Sequence, residues 1–180
     1  MDCETEMVLD GRTIVEKPYI YPADDRPPIT DEQTQPNGVD LRVEWIWEVT
    51  GSASLDENSK MNYSAMEKKE AEFSRHPDEY MLEPHKNYAV DFMERVSVPD
   101  GYCAIIYPRS SLLRVGAFVT SALWDTGFEG QLGGFIRPLN KLFIPIGARI
   151  AQVVFHKASF NGHRYAGRYQ GTDSQSSFIT

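Results

Sequence analysis

The sequence predicts an all-β protein, a sandwich or barrel with little helix. From Met81 onward, short apolar runs recur every eight to twelve residues or so. Turn residues such as Pro99-Asp100-Gly101 and Pro145-Ile146-Gly147 separate them. No internal repeat of solenoid or propeller period competes with this reading. At 180 residues the chain reads as one domain, long enough to bury roughly 70% of its unfolded surface.

Taken in order, residues 1–36 carry five prolines, at 18, 22, 27, 28 and 36, with acids between them. Proline removes a backbone donor and disfavours helix in the residue before it. The expectation is a short helix or strand near Met7–Val15, then an extended arm packed on the surface. Asn37-Gly38 signals a turn, and the alternation of Val39, Leu41 and Val43 predicts a half-buried strand with Asp40 on its other face. On this stretch alone Asp40 reads as a solvated turn acid. Val43–Val49, with Trp45 and Trp47, continues as strand.

Residues 51–80 turn polar and charged, and only Met66–Phe73 favours helix there. They read as a surface insertion, a loop with a short helix or a ragged hairpin. His76 and His85 lie beside prolines without ligand spacing and read as solvated loop residues. Strands are then expected at Tyr88–Phe92, Glu94–Val98, Tyr102–Tyr107, Gly116–Thr120, Gln131–Pro138, Leu142–Pro145 and Ile150–His156. A single helical turn fits Leu112–Val115. Residues 162–180 are rich in Gly, Ser, Gln and Tyr and read as a flexible tail. Glycines near Arg168 would let that tail close over a polyanion, as a lid that orders on binding.

Composition narrows the function classes. A net charge of -8 argues against a general nucleic-acid binder. A small anionic ligand is still allowed, because charges beyond about 8 Å are largely screened while a nearby arginine acts at full strength. No apolar run approaches the ~20 residues of a membrane span. The acidic start lacks the basic and apolar regions of a signal peptide. Cys3 and Cys103 form no metal-spacing pair, which fits a reducing cytoplasm with Cys103 as a small core residue.

The chemistry gathers between Pro108 and Asn140. Arg109, Ser110, Ser111 and Arg114 put two guanidiniums and two hydroxyls within six positions, a donor set for phosphate oxygens. Sixteen residues after Arg109, Asp125 sits on a turn with Gly127 and Gly130. An anion clamp followed by a carboxylate on a glycine turn points to phosphate-ester chemistry with water as nucleophile. Each motif alone is weak, since Asp-x-Gly-x-x-Gly is more often a plain β-turn.

Order and spacing add a family. The chain resembles the dUTPase and dCTP deaminase superfamily along most of its length. Gly38-Val39-Asp40-Leu41, Arg109–Gly116, Trp124–Gly130, Gly147–Gln152 and Gly167–Gly171 look like its five motifs in register. The resemblance implies a distorted jelly-roll subunit, β-barrel-like, in a homotrimer with active sites at subunit boundaries and Mg²⁺ bound through the nucleotide phosphates. It also implies roles. Arg109, Ser110, Ser111 and Arg114 would hold phosphates, and Gln152 would help position them. Phe128 would stack under the deoxyribose, and the turn after Thr120 would read the pyrimidine edge. Arg168, Tyr169 and Gln170 would belong to the closing tail, and Asp40 would face the metal through water.

The superfamily's branches differ in chemistry. The deaminase branch carries a glutamate ten positions beyond the third-motif aspartate, but here that position is Phe135, and Arg137 stands where an insertion would shift it. Without that proton shuttle, deamination would lose roughly 10²–10⁴-fold or more in rate. A zinc route is closed because the His-x-Glu and Pro-Cys-x-x-Cys signatures are missing. The expectation is therefore hydrolysis of dUTP to dUMP and pyrophosphate, with Asp125 orienting water. A dCTP deaminase or bifunctional enzyme using another acid such as Glu129, and a non-catalytic nucleotide-binding trimer, are the alternatives. Ala122 where the family commonly has glycine, and Pro138 within the following strand, depart from the pattern.

Overall fold

The structure is a computed structural model that describes residues 7–58 and 60–172. It is built almost wholly of strands. Helix α1 (Gly11–Glu16) opens it, starting where Asp10 accepts a hydrogen bond from the Thr13 amide. The arm that follows contributes β1 (Ile20–Pro22), a 3₁₀ turn (Asp31–Gln33) and β2 (Thr34–Gln35). Next come β3 (Gly38–Leu55), β4 (Met61–Glu70), β5 (Glu79–Leu82), β6 (Tyr88–Ser97) and β7 (Tyr102–Pro108). Helix α2 (Ser110–Arg114) leads to β8 (Ala117–Thr120), β9 (Glu129–Pro138), β10 (Leu142–Pro145) and β11 (Arg149–Lys157).

The main sheet runs β7-β11-β3-β6-β9-β8, with β1 added on β6 and both β2 and β4 on β3. Strands β5 and β10 form a separate antiparallel pair. The spine is β3. Its first third pairs with β11, its middle with β6, and its outer third with β4 alone. Irregularities at Val43/Trp45 and Arg149/Ala151 bend the sheet where β3 changes partners. Val43, Ile46, Phe92, Leu132 and Ile136 are fully buried along this spine.

Several expectations change. The strand at Val39–Val43 is buried on both faces rather than half-buried, because it lies in the centre of the sheet under the N-terminal arm. Asp40 is accordingly buried and not a solvated turn acid. The helix-favouring run at Met66 is strand, since pairing with β3 overrides the propensity of its Glu, Lys and Ala residues. Tyr88–Phe92 and Glu94–Val98 are one strand, with a bulge between Asp91 and Arg95.

Burying β3 also buries charge. Glu94 is wholly enclosed and is held by Arg42 Nε at 2.7 Å, the Arg42 amide at 2.9 Å and Gln33 Nε2 at 2.9 Å. Burial pushes the Glu94 carboxyl up, and these donors act against that. Arg42 reaches on to the Pro27 and Pro28 carbonyls, which fixes the arm against the sheet.

Candidate functional site

The residues singled out in the sequence fall into two groups. The first is a charged cluster where β3, β11 and α2 meet. The Arg109 amide donates to the Ile150 carbonyl at 3.0 Å, and buried Leu112 anchors α2, so the helix starts against the edge of β11. Arg109 Nε lies 3.0 Å from Asp40 Oδ2, and its Nη1 donates to the Arg149 carbonyl at 3.0 Å. Arg149 Nη1 lies 3.5 Å from the same Asp40 oxygen. One buried carboxylate thus holds two guanidiniums. Burial raises the Asp40 carboxyl above the ordinary aspartate range, and Arg109 and then Arg149 oppose it.

Gln152 is paired in register with Asp40 and lies across Gly38. A Cβ at Gly38, where φ is +152°, would stand 2.2 Å from the Val153 carbonyl and 3.0 Å from Gln152 Nε2. Only glycine leaves room for that packing. Ser110, Ser111 and Arg114 are exposed on α2, next to the cluster. Arg149 was missed in the sequence. It stands in the fourth motif, but only the β11–β3 pairing shows that it shares Asp40 with Arg109.

The second group surrounds a cavity of about 740 Å³ lined by Thr120, Leu123, Asp125, Phe128 and Phe135. Asp125 sits on a tightly held turn. The Phe128 amide donates to the Asp125 carbonyl at 3.0 Å, the Gly127 amide to Val98 at 2.9 Å, and Thr126 Oγ1 to the Tyr102 carbonyl at 2.6 Å. Ahead of the turn, Trp124 is buried and exchanges backbone hydrogen bonds with Ala104 at 2.8 and 2.9 Å. The carboxylate of Asp125 is left exposed at this cavity. Phe128 lies beneath, edge-on to Tyr165 at 5.4 Å.

The tail reaches the same place. The Tyr165 amide donates to Thr126 and the Gly171 amide to Glu129, both at 2.8 Å. Gln170 Nε2 donates to the Gly127 carbonyl at 3.0 Å, and Gln170 Oε1 accepts from the Glu129 amide at 3.3 Å. Gly127 allows this, with φ at +83° and no side chain to meet Arg164. Tyr169 lines the cavity, and exposed Arg168 lies 5.9 Å from its ring. The tail through Thr172 is therefore docked on the turn, and the part expected at 173–180 falls outside the described residues, as does Cys3.

Thr120, Asp125, Phe128 and Tyr169 share the cavity, while Asp40, Arg109 and Gln152 share the charged cluster. None of Arg109, Ser110, Ser111, Arg114 or Gln152 lines the cavity. Glu129 points elsewhere, accepting a hydrogen bond from Tyr21 at 3.1 Å. Among the described residues no group of His, Cys, Asp and Glu could hold a metal ion, and Asp40 already faces two cations. A protein-chelated metal does not fit these residues. An Mg²⁺ carried by a triphosphate needs no such cage. No helix among the described residues is long and apolar enough to cross a membrane.

The family model described as dCTP deaminase-like matches residues 14–158. A probable deoxyuridine 5'-triphosphate nucleotidohydrolase of Halobacterium salinarum is 31% identical over 83% of this chain and 90% of its own length. The deoxyuridine 5'-triphosphate nucleotidohydrolase of Methanocaldococcus jannaschii is 34% identical over 79% of this chain and 90% of its own. Among solved structures, the 2'-deoxycytidine 5'-triphosphate deaminase of Agrobacterium tumefaciens superposes with a TM-score of 0.62 at 20% identity. That match covers 84% of this chain and 48% of the other, so the chain spans about half its length. At such identity the likeness speaks for the fold.

Proposed function

The chain belongs to the dCTP deaminase-like family, and from that premise we propose that it hydrolyses dUTP to dUMP and pyrophosphate. One observation carries the choice between the family's chemistries. The cavity holds an exposed carboxylate at Asp125, while Phe135 lines it where a deaminase would need its acid. An ionised aspartate can orient a water but cannot replace the missing proton shuttle on the base.

Asp125 would accept a hydrogen bond from water placed in line with the α-phosphorus. The water oxygen bonds to that phosphorus as the bond to the β-bridging oxygen breaks, the water's proton passes toward Asp125, and pyrophosphate leaves. Arg109 and Arg149, held in place by Asp40, would take the charge that develops on the phosphate oxygens. Ser110, Ser111, Arg114 and Gln152 would complete that grip. Phe128 would pack under the deoxyribose, and the backbone after Thr120 would read the uracil edge. Arg168, Tyr169 and Gln170 would close the tail over the nucleotide. Mg²⁺ enters as part of the substrate, chelated by the triphosphate, and supplies further charge neutralisation there.

The separation of the two groups supports a homotrimer. A chain that keeps its arginines outside the cavity of its own Asp125 is completed if a neighbour's arginines face that cavity. Exposed Phe118, Leu113 and Val115 on β8 and α2 supply apolar surface for such a contact. Product analysis with Mg²⁺ and either dUTP or dCTP tests the function. Pyrophosphate and dUMP from dUTP, with dCTP untouched, are expected. Ammonia released from dCTP would reinstate the deaminase, and binding without turnover would favour a regulatory trimer.

A further inference from the structure

The hairpin formed by the outer part of β3 and β4 does not project freely. Among its polar and charged residues Ser52, Ser54, Asn62, Ser64, Glu67 and Lys69, a few apolar side chains stand out. Met61, Tyr63 and Met66, with Ala53, line the same cavity as Asp125 and Phe128. Of these four, Tyr63 and Met66 are partly buried, while Met61 and Ala53 are exposed. A bend brings them there. Gly51 has φ of +87° with no room for a side chain beside the Ala65 carbonyl, and the register shifts between Ser52 and Ser54. Across the cavity the hairpin meets the tail, where Tyr63 and Tyr169 line it together and the Tyr63 phenol stands close enough to act on that of Tyr169.

We propose that this hairpin is the outer wall of the nucleoside end of the substrate site, with Met66 and Tyr63 covering the apolar face of a pyrimidine deoxynucleoside and Tyr63 latching the tail through Tyr169. A thioether and a phenol ring suit that role, because soft and aromatic groups pack well on a base. A wall that touches base and tail but no phosphate sets affinity and leaves the bond-breaking step alone. The inference rests on the cavity being the dUTP site.

The test compares wild type, Met66→Gln and Tyr63→Phe by steady-state kinetics on Mg²⁺–dUTP, with thermal melting of each. Met66→Gln should raise KM about tenfold, and Tyr63→Phe about threefold, as expected for lost apolar cover and one lost hydrogen bond. For both, kcat and melting temperature should hold. Tyr63→Phe keeps the ring, so a folding defect would not mask its effect. Unchanged KM in both variants of an active enzyme would overturn the hairpin's role and leave the function standing. A wild type inert on dUTP would overturn the function and this inference with it.

Discussion

From Gly38 to Glu44 every residue of β3 is buried, and from Thr50 to Leu55 every one is exposed. The inner end lies between β11 and β6 and carries charge into the interior, with Asp40, Arg42 and Glu44 all enclosed. The outer end has only β4 beside it and reaches the cavity through Ala53. The inner end is therefore a fixed mount, since its carboxylates and guanidiniums hold one another at set positions on paired strands. On the proposed function, one strand would serve the phosphates at one end and the nucleoside at the other.

Changes at the inner end should cost much stability, and changes at the outer end little. The largest effect is expected for Arg42→Ala, which leaves the fully buried Glu94 without its cation. Removing one partner of a buried pair costs about 3–5 kcal/mol, and equilibrium unfolding in denaturant should read that loss. Arg149→Ala should come next for function. With one of the two guanidiniums on Asp40 gone, KM for Mg²⁺–dUTP should rise about tenfold or more while the fold survives on Arg109.

A smaller effect depends on pH. Burial raises the folded-state pKa of Asp40 above its unfolded value. Such a group contributes stability below the unfolded pKa that is lost as pH rises through the folded pKa. Melting temperatures of wild type and Asp40→Asn should therefore diverge between acidic and neutral pH, with wild type losing ground as pH rises. A constant difference across that window would contradict the shift. The smallest effect belongs to the outer end, where Lys68 lies 4.9 Å from the Trp47 ring. Lys68→Ala should cost about 0.5–1 kcal/mol in unfolding and leave kinetics unchanged.

The two ends also differed in how far the sequence revealed them. Strand positions from Tyr102 to His156 follow from alternation and turn residues, and the structure keeps nearly all of them. Arg109 and Asp125 stood out by their neighbours, Ser110, Ser111 and Arg114 for the one and the turn glycines for the other, and Asp40 only through the family resemblance. Arg149 did not, because sharing Asp40 is a matter of pairing between strands more than a hundred residues apart in the chain. The hairpin stood only as one of two readings of residues 51–80, beside a loop with a short helix. Its Met66–Glu70 stretch has helix-forming residues, and pairing with β3 decides its state. The burial of Asp40 was likewise invisible, since alternation reports two faces but not what covers each.

The most direct measurement mixes two inactive variants, Asp125→Asn and Arg109→Gln, refolded or co-expressed together. If a site takes its aspartate from one subunit and its arginine from another, random assembly restores about a quarter of the intact sites. Hydrolysis of dUTP should return toward that level, with each variant alone at least 10²-fold down. No recovery on mixing, from assemblies shown to contain both chains, would mean that one chain completes its own site and would contradict the division drawn here.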